Sequence, residues 1–197
     1  MASRHGFVVW LTGLSGAGKS TLAQALCEKL RHSGFPCEHL DGDSVRRELG
    51  GALGFSRAER ELQSQRLCYI ALLLTRHDVI VVVSAVSPYR DSRARARARF
   101  GNFLEVYVNA PVEECQRRDL KGLYARARSG GLSNLTGVDA PYESPRSPEV
   151  ECRTDCETPE QSLAKIWAAL GLRLTAPLRP QAPAASPSGA LSVTPSR

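Results

Sequence analysis

The chain has 197 residues, with 26 Lys and Arg against 20 Asp and Glu, a formal net charge of +6 and an apolar content of 42%. That length accommodates one domain with a full hydrophobic core, and the near-average composition excludes wholesale disorder, a fibrous repeat and a collagen-like chain. The longest nearly continuous apolar run, Val79 to Val86, falls far short of the ~20 residues a bilayer-spanning helix needs.

The first segment, Met1-Ala-Ser-Arg-His-Gly-Phe, lacks the long apolar stretch of a secretory signal, so the chain is expected to be cytoplasmic with no membrane partner. Phe7-Val-Val-Trp-Leu then reads as a strand. Apolar residues at every position suit a strand covered on both faces, as in a parallel sheet. Directly after it comes Gly13-Leu14-Ser15-Gly16-Ala17-Gly18-Lys19-Ser20-Thr21, followed by a helical pattern over Ser20 to Arg31. This satisfies the phosphate-loop pattern G-x-x-x-x-G-K-[ST] in its required strand–loop–helix context. The glycines let backbone N–H groups turn inward around a β-phosphate, and the helix N-terminus adds its positive dipole. Lys19 can reach the β- and γ-phosphates, and the Ser20 hydroxyl can ligate Mg²⁺. ATP and Mg²⁺ are the expected cofactors.

Cys37-Glu-His-Leu40 is a weaker strand leading into Asp41-Gly42-Asp43. Helical patterns follow over Ala58 to Thr75, Arg93 to Phe100, Val112 to Arg118 and Pro159 to Leu170. Between them lie the strand-like runs Val79–Val83, Phe103–Val108 and, more weakly, Val150–Cys152. Strand alternating with helix predicts right-handed βαβ crossovers and an α/β fold: three layers around a mostly parallel central sheet, of the P-loop kinase type. The stretch from Lys121 to Glu143 is charged, contains glycine and lacks hydrophobic periodicity, which reads as a mobile lid. The kinase domain is expected over residues 1–174. Thr175 to Arg197 holds five prolines, five alanines, four serines and no acidic residue, and is expected to be a disordered tail.

Two features invite other readings. Six cysteines occur without a C-x-x-C pair, and Cys152 and Cys156 have no nearby histidine to complete a zinc site, so buried or indifferent thiols are expected. In the run Arg90, Arg93, Arg95, Arg97 and Arg99, Arg93/Arg97 and Arg95/Arg99 form two like-charge i,i+4 pairs with no aromatic interleaving, and Arg90 belongs to the Ser-Pro-Tyr-Arg segment. A solvated helix face is expected there rather than a nucleic-acid patch.

Absences narrow the phosphate-loop class. The guanine-reading N-K-x-D is missing, and no acidic residue ends the Val79–Val83 strand where a motor ATPase carries its metal-holding aspartate. The candidate carboxylates are instead Asp41 and Asp43, either of which could hold the metal's water shell or receive a proton from an acceptor hydroxyl. That layout fits a small-molecule kinase.

Further segments carry a resemblance. Asp41-Gly-Asp-Ser-Val-Arg46, Leu53-Gly-Phe-Ser56 with Arg60, Ser84-Ala-Val-Ser-Pro-Tyr-Arg90, Arg118-Asp-Leu-Lys-Gly-Leu-Tyr124, Ala127-Arg-Ser-Gly130 and Leu135-Thr-Gly-Val-Asp139-Ala-Pro-Tyr-Glu143 occur in this order. With the phosphate loop they resemble the adenylylsulfate (APS) kinase family from about Gly6 to Leu170. The resemblance implies phosphorylation by ATP of the 3′-hydroxyl of adenosine 5′-phosphosulfate, giving PAPS for sulfate assimilation. It also implies a homodimer, with an association with ATP sulfurylase as a further partner to test.

Carried over residue by residue, the resemblance places Gly13 to Thr21 on ATP–Mg²⁺, with Arg118 and Arg128 on the ATP side of the lid. Asp43 would orient or deprotonate the acceptor hydroxyl, and Arg46 and Arg60 would grip the phosphosulfate. Phe55 would stack on the substrate adenine opposite the lid residues Leu135 and Thr136. Gln63, Val86, Ser87 and Lys121 would complete the acceptor site. In some members the serine matching Ser87 is described as a phosphorylated intermediate; direct in-line transfer with Asp43 as base is the expectation here. The chain departs from the family pattern at Ser44, Gly50 and Gln63, each an Asn in the family, and at Ala85 and Leu135, each a Phe. These departures bear on the substrate pocket and leave the phosphate machinery intact. Two rival readings remain at this level: a kinase of another small hydroxylated metabolite, and a weakly active nucleotide-binding partner of ATP sulfurylase.

Overall fold

The computed structural model describes residues 6–49 and 53–174. Strand β1 (Phe7–Thr12) is buried at all six positions. Its period-two alternation sends Phe7, Val9 and Leu11 into one hydrophobic cluster and Val8 and Trp10 into another. The first cluster gathers Leu22, Leu26 and Leu30 of helix α1 (Lys19–His32) and Ile166 and Leu170 of α7 (Pro159–Leu174). The second gathers Leu67, Cys68 and Ala71 of α3 (Arg57–Thr75) and Ala96 of α4 (Arg90–Ala98). Helices therefore cover both faces of one sheet, the three-layer arrangement the alternating pattern requires.

The sheet has five parallel strands in the order β2-β3-β1-β4-β5. Its other strands are β2 (Cys37–Asp41), β3 (Ile80–Ser84), β4 (Phe103–Asn109) and β5 (Val150–Arg153). β3 lies one residue later than the Val79–Val83 expectation, which brings Ser84 into register with both Leu11 and Asp41. α5 (Val112–Arg118) matches its expected bounds.

Two helices form where the sequence pattern predicts none: α2 (Gly42–Leu49) and α6 (Leu123–Arg128). Each rests on a capping carboxylate more than on an apolar stripe. Asp41 Oδ1 accepts the amides of Asp43 and Ser44 at 3.1 and 3.0 Å, and Asp119 accepts those of Tyr124 and Ala125 at 3.2 and 2.9 Å. α3 begins on a reciprocal cap, with Ser56 and Glu59 each satisfying the other's backbone N–H.

The arginine run of α4 is the expected solvated face at Arg90, Arg95 and Arg99, with Arg97 half-buried and Arg93 the exception. Arg93 is 3% exposed and pairs through Nε with Glu105 Oε1 of β4 at 2.8 Å. Arg97 binds both carboxylate oxygens of Glu149 at 2.7 Å, and Arg95 reaches Glu61 at 2.6 Å. Five of the cysteines are buried, and Cys156 is exposed. Among the described residues no helix is long and apolar enough to cross a membrane. The expected tail, 175–197, and Gly50 lie outside the described residues.

Candidate active site

Ligands of open parallel sheets sit beyond the carboxyl ends of the strands, and there the loop 13–18 joins β1 to α1. Gly13 needs to be glycine: at φ 154° it passes so close to β4 that an added Cβ would stand 2.2 Å from the Val108 carbonyl oxygen. Gly18, at φ 96°, turns the chain into the first residue of α1. Lys19 is thereby buried, its Nζ donating to the Leu14 carbonyl at 2.7 Å. Burial pulls its pKa down to about 8, against the opposing attraction of Asp43. A buried ammonium so destabilised is a site that an anion would relieve.

Beside it, Ser20 Oγ donates to Asp41 Oδ2 at 2.9 Å. Ser84 Oγ, at the end of β3, donates to the same oxygen at 3.0 Å and is itself contacted by His39 Nε2 at 2.8 Å. Ser84 has one proton, and it goes to the carboxylate, so the His39 N–H is the donor to Ser84. Burial raises the Asp41 pKa, but the hydrogen bonds from the Ser44 amide, Ser20 and Ser84 outweigh it and hold the group below the usual carboxylate range. An ionised carboxylate adjoining a phosphate-loop serine is a donor set that fits a hydrated divalent cation. Among the described residues no cluster of three or more His, Cys, Asp or Glu forms an independent metal site.

A cavity of about 570 Å³ extends from this point. Ser15, Gly16, Gly18, Lys19, Ser20 and Thr21 line it, together with Asp43, Phe55, Arg60 and Val86. Lys121, Leu135 and Thr136 close it from the lid segment. Lys121 Nζ pairs with Asp43 Oδ2; burial lowers the lysine pKa, and the pairing outweighs burial so that the net shift is upward. A second hollow of about 70 Å³ adjoins Asp43, Phe55 and Val86 and is lined by Arg46, Gln63 and Ser87.

Phe55 lies beneath two guanidinium groups, Arg46 at 5.0 Å and Arg60 at 5.3 Å from its ring centre. Arg60 also donates to the Phe55 carbonyl at 2.8 Å and to the Asn134 carbonyl at 2.6 Å, tying α3 to the lid one residue before Leu135. Gln63 donates to Gly42 O at 3.0 Å, while its Oε1 and the Thr136 Oγ1 are buried without a protein partner.

The lid segment is stitched to the phosphate loop. Tyr124 of α6 donates to Ser15 O at 3.0 Å, and Arg118 spans Gly16 O at 3.3 Å and Thr154 O at 2.6 Å. Arg128 is exposed at the end of α6 and lines neither cavity. Residue patterns missed Thr154, whose Oγ1 donates to Ala17 O at 2.8 Å, and the cavity-lining Glu157 and Pro159. The one available signal was positional: they follow β5, the weakest strand in the sequence, at the end of the sheet where ligands bind.

Comparison with known proteins agrees with this geometry. The family model described as adenylylsulphate kinase matches residues 5–153. The adenylyl-sulfate kinase of Rippkaea orientalis is 55% identical over 164 residues, covering 83% of this chain and 91% of that protein. That of Microcystis aeruginosa is 56% identical with the same coverage of both chains. The solved Mycobacterium tuberculosis APS kinase in complex with AMPPNP and APS superposes with a TM-score of 0.81 at 39% identity, over 85% of this chain and 98% of that one. With the phosphate loop and the paired Ser20 and Asp41 inside the matched span, the chain belongs to the adenylylsulphate kinase family.

Proposed function

We propose that the protein transfers the γ-phosphoryl group of ATP to the 3′-hydroxyl of adenosine 5′-phosphosulfate. The observation that carries this reading is one cavity lined both by the phosphate loop with Lys19 and by Asp43, Phe55 and Arg60. Two nucleotides meeting end to end need such a cavity, with cations where their phosphates converge.

Lys19 neutralises charge that builds on the transferring phosphoryl group, a contribution made mainly in the transition state. Ser20 and Asp41 are the residues that would hold Mg²⁺, which would supply further neutralisation of the phosphate charge. Asp43 orients the acceptor hydroxyl and takes its proton once the acceptor's anionic group draws Lys121 away from it. Arg46 and Arg60 bind the phosphosulfate, and Phe55 and Leu135 enclose the adenine. Val86, Ser87, Gln63 and Thr136 complete the acceptor pocket, and Arg118 braces the ATP side. Transfer is direct and needs no phosphoserine at Ser87, whose Oγ accepts the Trp10 indole N–H at 3.1 Å.

The reading extends to a cytoplasmic homodimer. Leu62, Tyr69 and Leu73, exposed along one side of α3, support self-association; sedimentation of the protein alone and with ATP sulfurylase tests both associations. The decisive assay is ADP release from ATP with APS, adenosine, AMP or gluconate as acceptor. Turnover is expected with APS alone. Preference for another acceptor, or no turnover by the folded protein, overturns the proposal.

A further inference from the structure

Outside the phosphate machinery, the most heavily engaged buried charge is Arg93. Its Nε donates to Glu105 Oε1 at 2.8 Å, one terminal nitrogen to Ser87 O at 2.6 Å and the other to Glu143 O at 2.6 Å. A planar guanidinium with donors in fixed directions can hold three separate segments at once, as a lysine cannot. Those segments are the middle of β4, the loop 85–89 after β3, and the strap 142–144 that follows the lid.

The same loop and strap are joined by further bonds. Glu143 N donates to Pro88 O at 2.8 Å, and the Arg90 amide donates to Glu143 Oε2 at 2.9 Å. Thr12 Oγ1 donates to Val86 O at 2.7 Å and lies 3.0 Å from the Tyr142 hydroxyl. Its single proton is used on Val86, so Tyr142 donates to it.

Ser87 is the point this bracing constrains. It has φ 43°, in the left-handed region that a non-glycine residue rarely occupies. Such a conformation persists where surrounding contacts over-determine it. Here Trp10 holds the Ser87 side chain and Arg93 its carbonyl. Val86 and Ser87 both line the small hollow beside Asp43.

The geometry points to Arg93 as a positioning residue for acceptor binding: it locks the Val86–Ser87 turn against the strap, so that loop and strap present one rigid wall to the acceptor nucleotide. Glu105 pairs with the guanidinium and fixes its direction, and lines neither cavity itself. The inference rests on the proposed APS kinase reading.

The test is the double variant Arg93→Leu/Glu105→Leu. Replacing a buried ion pair by apolar residues leaves neither partner's charge buried alone, so the protein is expected to fold while both carbonyl contacts are lost. Arg97 keeps its two bonds to Glu149. APS affinity, measured by calorimetry with a non-hydrolysable ATP analogue present, is expected to fall between about 10- and 100-fold, the scale of a small misplacement of a binding wall. Affinity for the ATP analogue alone should stay at its wild-type value, with a cooperative thermal transition showing that the variant is folded.

Arg93→Lys keeps a cation beside Glu105 but cannot reach both carbonyls, and should show the same split even if the double variant does not fold. Unchanged APS affinity in a folded variant, or equal losses of APS and ATP affinity, overturns the assignment. Failure of the wild-type protein to phosphorylate APS would instead overturn the functional reading beneath it.

Discussion

Lys19 should be a residue whose loss abolishes activity and raises stability. It is 9% exposed, and its pKa falls from the ordinary 10.5 to about 8, chiefly through burial. Each pKa unit corresponds to about 1.4 kcal/mol, so holding the charged form costs the folded state about 3 kcal/mol at pH 7. The hydrogen bond from Nζ to Leu14 O returns about 1 kcal/mol. Lys19→Met should therefore stabilise the protein by about 2 kcal/mol at pH 7 in the absence of nucleotide.

The sign of the pH dependence follows from the direction of the shift. Below pH 8 the lysine is charged in both states and the full penalty is present. Between pH 8 and 10.5 the folded form releases its proton first, the unfolded chain binds more protons, and stability rises with pH. Urea titrations of wild type and Lys19→Met at pH 7 and 9.5 measure this directly. The two curves should converge as pH rises, while the variant has no kinase turnover at either pH. A variant no more stable than wild type at pH 7, or one that keeps the wild-type slope, would refute the argument. ATP should reverse the shift by bringing phosphate to the ammonium. At pH 8 its binding should take up about half a proton, read by calorimetry in buffers of different ionisation enthalpy.

Three further outcomes are expected. Asp43→Asn should lower kcat by at least ~100-fold, as loss of a general base does, whereas Ser87→Ala loses far less; steady-state rates check this, and a kinetically competent phosphate trapped on Ser87 would contradict it. Asp41→Asn should raise the Mg²⁺ concentration for half-maximal rate by roughly 10-fold or more, the usual effect of disturbing an outer-shell ligand, with Mn²⁺ binding to the ADP complex followed by electron paramagnetic resonance as the independent readout. Leu135→Phe should tighten APS binding a few-fold by adding a ring opposite Phe55, within the roughly 0.5–1.5 kcal/mol of an aromatic pair. Phe55→Ala should weaken it by more, and calorimetry showing no change in either variant would exclude the adenine sandwich.

What the sequence made legible follows from where the information resides. The five strands stood out to the degree that both faces are covered: β1 and β3 are buried at every position, whereas β5 alternates buried and exposed and was the faintest. The phosphate loop was fully legible because its glycines, lysine and serine answer to local backbone geometry. α2 and α6 were not, since α2 buries only Gly42 and α6 only Tyr124, and each is started by a carboxylate whose capping bonds cannot be told from an ordinary turn in sequence.

Arg93 departs from the solvated-face pattern for a related reason. Helical spacing says which side chains share a face, but not what the opposing strand brings to meet them. The usable signal lay elsewhere in the chain: Glu105 is an acid inside the apolar run Phe103-Leu-Glu-Val-Tyr-Val, and a carboxylate on a strand covered on both faces demands a buried cation.

The same reasoning resolves the missing acid at the end of β3. The strand ends in Ser84, but parallel register sets Asp41 of β2 directly beside it, so the carboxylate reaches Ser20 from the neighbouring strand. A motif defined along one strand was absent, while the arrangement it serves is present across two.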